Sequence, residues 1–198
     1  MEENLSSDYS SKKSLYSSEN SKISKPKDNK ESDNFGLVKI ISELLVDICE
    51  EGKSNIDSKS ALIKSFISKK IPAISIKEYI ERILKYSKAF KEIVIIILIY
   101  LDTICAKNKI YLNYNNIHKF IFAAFIVAIK FYEDDNYSIS YYAKLGGISK
   151  KEAIKLEYEF MCLIDFKLFV NQKLYEKYYN YLMSLQEDDI EDVDFDSI

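Results

Sequence analysis

Ten consecutive apolar residues, Phe120 to Ile129, run into a single lysine, Lys130, and the chain then turns acidic at Glu133, Asp134 and Asp135. A helix that is apolar on every side belongs inside a core. Ten residues are too few to span a bilayer, so the core in question is a protein core. Lys130 therefore stands where that core meets the surface, held by the packed turns before it. A lysine in such a place needs a carboxylate or backbone carbonyls for its charge. The best candidate is Glu157, in the amphipathic segment Lys155-Leu156-Glu157-Tyr158-Glu159-Phe160-Met161.

The rest of the chain suits a helical domain. Its 198 residues allow one domain, or one domain with tails, and 47% of them are apolar. Four glycines and two prolines are too few for the many tight turns of a β architecture. The formal charge is −3, with 27 lysines and one arginine spread among 31 acids. That spread leaves no phosphate-binding stripe and argues against a nucleic-acid partner. Cys49, Cys105 and Cys162 are far apart, show no CxxC spacing and sit in apolar helical stretches. They read as small hydrophobes in a reducing compartment, cytoplasmic or nuclear or both. Residues 1–34 are polar and serine-rich, unlike a signal peptide, and the runs Ile93 to Leu101 and Phe120 to Ile129 are short, so no membrane association is expected.

Residues 1–34 hold ten serines and almost no large aliphatic side chains, and they read as a disordered tail. Residues 187–198 read as an acidic tail, with seven acids between Glu187 and Asp196. Between them helical spacing recurs. Leu37, Val38, Ile40, Ile41, Leu44, Leu45 and Ile48 form one stripe, with Gly52 as a stop. Ala61, Leu62 and Phe66 suggest a second helix, broken at Ile71-Pro72. Ser75-Ile-Lys-Glu78 is a capping box, with Ile74 and Tyr79 placed as its staple, and it opens a helix to about Tyr86. Residues 91–107 are uninterrupted by turn signals, so the run Ile93 to Ile99 reads as helix although its β-branched content suits a strand. Asn113 or Asn115 can cap the helix that ends near Phe131. Tyr141 to Leu145 is a short helix stopped by Gly146-Gly147. Ser149-Lys-Lys-Glu152 is a second capping box, for a helix to about Ile164, and a last helix covers about Gln172 to Leu185.

Reactive constellations are missing from this pattern. Gly146-Gly147 is a lone pair and not a phosphate loop, and His118 is the only histidine. A His-based zinc site or catalytic triad is thus poorly supported, and Glu133, Asp134 and Asp135 lack the spacing of a calcium loop. No metal, no cofactor and no enzymatic activity are expected. One polar pair stands out. Arg82 is the only arginine, which suggests a planar contact that lysine cannot reproduce, and Asp102 on the following helix is a candidate partner for fixing helix packing.

Taken in order, the segments resemble the cyclin box. The resemblance is carried by Ile71-Pro-Ala-Ile-Ser-Ile-Lys-Glu-Tyr-Ile-Glu-Arg82-Ile, Ile99-Tyr-Leu-Asp102 and Asn116-Ile-His118-Lys119. It continues in Val127-Ala-Ile-Lys130-Phe-Tyr-Glu-Asp134-Asp135, Tyr142-Ala-Lys-Leu-Gly146-Gly147-Ile, and Leu156-Glu157 with Phe160, Phe166 and Leu168. The pattern is most similar to the phosphate-regulon or P/U-type cyclins and covers about residues 60–182. It implies an all-α fold, a single five-helix cyclin box at 71–170, with N-terminal helices at 35–70 and a C-terminal helix at 171–186. It also implies a regulatory subunit that forms a heterodimer with a cyclin-dependent kinase and stabilises the kinase's active conformation. Lys130 and Glu157 match the family's kinase-facing lysine and glutamate, Phe166 and Leu168 a kinase-facing turn, and Asp134 or Asp135 an acidic residue that pairs with kinase arginines. A role in cell division or phosphate signalling would follow.

The chain departs from the family pattern at Lys119, where arginine is usual, and at Ser140 and Ile154, where asparagine is common. The methionine-arginine-alanine-isoleucine-leucine docking run of cell-cycle cyclins is missing, as are arginine-x-x-leucine and Lys-Glu-Asn destruction signals. A cyclin-fold adaptor or scaffold that does not activate a kinase is the alternative reading.

Overall fold

The helical periodicity becomes seven α-helices, with no strand among the described residues. The structure is a computed structural model and describes residues 31–54, 63–87, 89–90 and 92–191. The readings made for residues 1–30, for Ala61 and Leu62, and for 192–198 lie outside that range. The helices are α1 (Glu31–Glu51), α2 (Ile76–Ser87), α3 (Ile93–Asn108), α4 (Ile117–Tyr132), α5 (Ile139–Gly146), α6 (Lys150–Leu163) and α7 (Gln172–Glu191). No described helix is long and apolar enough to cross a membrane.

The core is built around α4. Every residue from Ile117 to Ile129 is buried except Lys119, which is half-buried. α3 and α6 pack against α4, and α3 is itself buried from Ile93 to Leu101. Seven β-branched or leucine side chains from Ile93 to Ile99 are thus buried on a helix, because tertiary packing outweighs their local strand preference. Helix starts follow the sequence signals closely. The Ser75 box is reciprocal: the Glu78 amide donates to Ser75 Oγ at 3.2 Å, and the Ser75 amide donates to Glu78 Oε2 at 3.0 Å. At Ser149 only the first half forms, with the Glu152 amide donating to Oγ at 3.1 Å, because the Glu152 carboxylate is taken by Lys119.

Boundaries move in four places. α1 starts at Glu31, inside the stretch read as tail, and α7 continues past Leu185 to Glu191. Ile63 to Phe66 forms a tight turn in the described part of the stretch read as a second helix, and Phe66 stacks on Phe120 with ring centroids 4.1 Å apart. The residue before α4 is Asn116 and not Asn113 or Asn115. The carboxamides of Asn113 and Asn116 instead tie the preceding loop together, accepting from the amides of Asn115 and Asn113 at 3.0 and 2.9 Å. The Gly146-Gly147 stop forms as expected. Gly147 has φ +71°, and a Cβ on Gly146 would lie 2.4 Å from the Phe122 ring, so a larger residue would force α5 off α4.

Candidate functional site

The last turn of α4 carries Lys130, and its Nζ donates to both carboxylate oxygens of Glu157, at 2.6 and 2.8 Å. The sequence-derived pair therefore forms. α6 buries Ala153, Leu156, Phe160 and Leu163, which leaves Glu157 at the edge of the buried face. The side chains of Lys130 and Glu157 are 37% and 19% exposed, so the ion pair lies at the surface. A cation in the last turn of α4 also complements the helix dipole.

The link between α6 and α7 is clasped to this end of α4. Tyr132 Oη donates to the Leu168 carbonyl at 3.2 Å and accepts from the Val170 amide at 2.8 Å. Tyr100 Oη donates to the same Leu168 carbonyl at 2.5 Å. Burial pushes both phenols above their ordinary range, which keeps them as donors. Upstream in the link, Asp165 and Phe166 adopt left-handed conformations with φ 63° and 57°. Consecutive non-glycine residues in that region store strain, which such turns keep only when their surroundings hold them there. Here the Asp165 carboxylate pairs with Lys107 at 3.1 Å, and the Phe166 amide donates to the Met161 carbonyl at 3.0 Å. The result is a Phe166 ring that is 59% exposed, while Leu168 packs half-buried on the core. Asp134 and Asp135 are exposed in the bend after α4.

Exposed apolar side chains adjoin this pair along the chain: Phe131 follows Lys130, Tyr158 follows Glu157, Ile154 stands about one turn before it on α6, and Phe166 and Phe169 stand either side of Leu168 in the clasped link, Tyr158 the most exposed at 65%. A large exposed apolar patch of this kind marks an interaction surface. Ile154, Tyr158 and Met161 share helical spacing, so α6 has a second apolar stripe besides its buried one. The amphipathic reading of this segment does not separate the two stripes. No cluster of three or more His, Cys, Asp or Glu side chains suited to a metal ion occurs among the described residues.

Arg82 and Asp102 are not brought together. Asp102 lies on the α7 side of α3 and accepts from the Tyr178 hydroxyl. Arg82 lies on the opposite side, its guanidinium 5.2 Å from the centroid of the Tyr79 ring in a cleft beside α4 and α5. The two acceptable partners were separated by helix direction, which spacing along the chain does not reveal. The sequence reading also missed a second charged pair. Lys119 Nζ binds Glu152 Oε1 at 2.8 Å and the Ser65 carbonyl at 3.1 Å, joining α4, α6 and the Ile63–Phe66 turn. A lysine with two acceptors explains how this site works without the usual arginine.

The chain matches the Cyclin family model over residues 6–168. It is 36% identical over 114 residues to Cyclin-U2-1 of Arabidopsis thaliana, covering 57% of this chain and 51% of that protein. It is 36% identical over 138 residues to PHO85 cyclin-7 of Saccharomyces cerevisiae, covering 64% of this chain and 48% of the relative. Cyclin-U4-1 of Arabidopsis thaliana is 32% identical over 149 residues, covering 74% of each chain. The chain belongs to the cyclin family, with relatives of the PHO85 and U types. It spans about half the length of the first of these relatives.

Proposed function

We propose that the chain is a non-enzymatic regulatory subunit that binds a cyclin-dependent kinase and stabilises its active conformation. The observation that carries this reading is the Lys130–Glu157 pair, set in an exposed apolar patch at the junction of α4 and α6. A kinase of this type populates an inactive state in which its catalytic lysine–glutamate pair is broken. A regulator shifts that equilibrium only by its difference in affinity for the two states. Opposite charges fixed on a rigid helical surface suit that task, because they can engage backbone and polar groups of a helix that occupies the right place in one state only. The exposed apolar side chains near them would supply the buried area, and Asp134 or Asp135, exposed in the bend after α4, would pair with basic residues of the kinase. Membership of the cyclin family and relatives named as PHO85 cyclins support the partner class, and a role in either phosphate signalling or cell division would follow.

The test is phosphotransfer by each cyclin-dependent kinase of the same cell, with and without this protein. Stimulation lost in Lys130→Ala and Glu157→Ala supports the reading. Stable binding without stimulation would make the chain an adaptor, and activation unchanged in a folded double variant would remove these residues from the interface.

A further inference from the structure

The only arginine in the chain has no ion pair and no hydrogen bond among the described residues, and its Nε is buried without a partner. It lines a cleft of about 280 Å³ between α2, the start of α4 and the α5–α6 link. His118, 6% exposed, lines the same cleft, and its Nδ1 is also buried without a partner. His118 Nε2 lies 3.0 Å from the Ile74 carbonyl, which can only accept, so Nε2 carries the proton and Nδ1 presents a lone pair. The cleft thus holds an unmatched cation, an unmet donor and an unmet acceptor. It lies at the end of α4 opposite Lys130, about 18 Å away along the helix.

We propose that this cleft, where the unpaired Arg82 guanidinium meets the orphaned His118 Nδ1, binds the phosphoryl group of a phosphorylated serine or threonine on a partner protein. Three features favour that ligand. Arg82 has the planar fork that engages two oxygens of a phosphate, and Tyr79 already holds it in place from one face. A phosphate monoester near neutral pH is an anion that can still carry a proton, so it can accept from Arg82 and donate to Nδ1. A carboxylate has no proton to give. Pro72, Ile74, Phe122 and Ile148 line the cleft beside Ser68, Gly146 and Gly147, and these mostly apolar walls suit the carbon stem and backbone of a peptide better than a hydrated free ion. Exposed lysines flank the lining residues in the chain: Lys69 and Lys70 precede Pro72, and Lys150 and Lys151 follow Ile148. Lys119 also lines the cleft, but Glu152 and the Ser65 carbonyl already occupy its charge. The attraction therefore comes from Arg82, with the lysines that neighbour the lining residues in the chain adding positive charge.

The test needs no kinase, so it stands apart from the activation reading. His118 is the only histidine, and its imidazole NMR signals report on the cleft alone. The full chain is titrated with acetyl-Ala-Ala-phosphoserine-Ala-Ala-amide, with the unphosphorylated and glutamate versions of that peptide, and with inorganic phosphate. The phosphopeptide is expected to shift the His118 signals and to raise the pH at which they titrate. The groups facing that ring are Tyr79 and Arg82 from α2, Lys119 from α4 and, through Lys119, Glu152 from α6. Arg82→Lys, which keeps the charge and loses the fork, should weaken binding by about tenfold or more. No shift of the wild-type His118 signals by the phosphopeptide would overturn the proposal whatever the variant does. So would an equal response to the unphosphorylated peptide, and inorganic phosphate bound as tightly would overturn the assignment to a protein partner.

Discussion

Two lysines on α4 each reach a glutamate on α6, and the two pairs serve different ends. At the start of the helix Lys119 is 18% exposed and has two acceptors on two separate elements, Glu152 and the Ser65 carbonyl. Its cation is satisfied inside the chain, and its effect is to fix the Ile63–Phe66 turn against the core. At the other end Lys130 is twice as exposed and gives its hydrogens to the two oxygens of a single carboxylate. The exposed rings of Phe131 and Tyr158 adjoin the pair in the chain. Distance does not separate the two, at 2.8 and 2.6 Å. What separates them is how many internal acceptors each cation has and what lies around it. An ion pair is read as structural when removing it strands buried groups, and as an interaction site when its neighbours are apolar and uncovered.

The largest expected difference is in kinase activation. Removing one hydrogen-bonded charged partner at a desolvated interface costs about 2–5 kcal/mol. Lys130→Ala or Glu157→Ala should therefore lower kinase stimulation at fixed concentration by more than about tenfold, while circular dichroism stays unchanged. Lys119→Ala should do the reverse. It leaves the half-buried Ser65 carbonyl without its donor and the Glu152 carboxylate, 36% exposed, to solvent, a cost of about 1 kcal/mol. A fall in thermal midpoint with full stimulation by the folded fraction would confirm the contrast. Loss of stimulation in both variants, with stability intact in both, would erase it.

The sequence made one of these pairs legible and hid the other, for physical reasons. Lys130 ends an unbroken apolar run, so its depth in the fold follows from the run itself. Glu157 follows from the helical spacing of Leu156 and Phe160 beside it. Lys119 lies one residue before that run, beside a histidine, and its two acceptors are 54 and 33 positions away or more in a turn and a capping box. The box signature predicts that Glu152 folds back on Ser149, and only the tertiary arrangement diverts it to Lys119. The same limit explains Arg82. Its singularity is plain in the sequence, whereas the direction it faces depends on how α2 crosses α4, and Asp102 turns out to face α7. The tyrosine clasp on Leu168 depends on two helices meeting one link and left no pattern to read.

A smaller effect distinguishes the two ends by pH. Burial, with the nearby Arg82 charge, holds His118 below its ordinary pKa, although its bond to the Ile74 carbonyl opposes this. The folded state therefore binds the proton less readily than the unfolded state. Stability contributed by this group is full above the unfolded value of about 6.5 and is lost as pH falls below it, by at most about 1.4 kcal/mol per pH unit. Denaturant midpoints measured between about pH 7 and pH 5 should fall in the wild type and less steeply in His118→Gln. Lys130→Ala leaves His118 and its surroundings in place, so that variant should keep the fall that His118 contributes.

The smallest effect concerns the free chain. A partly exposed lysine–glutamate pair contributes about 0–1 kcal/mol, because solvent screens it and both side chains lose freedom in making it. The double reversal Lys130→Glu with Glu157→Lys keeps an ion pair between α4 and α6, so its thermal midpoint should stay within about 1 kcal/mol of the wild type. Each single reversal places two like charges together and should be less stable than the double. If the pair were only an internal brace like Lys119–Glu152, restoring it by reversal would restore everything. If it faces a partner, the reversed pair presents each charge to the wrong groups, and stimulation stays lost although the fold recovers. Recovery of both stability and stimulation in the double reversal would make Lys130 and Glu157 a second structural pair, and the contrast between the two ends of α4 would vanish.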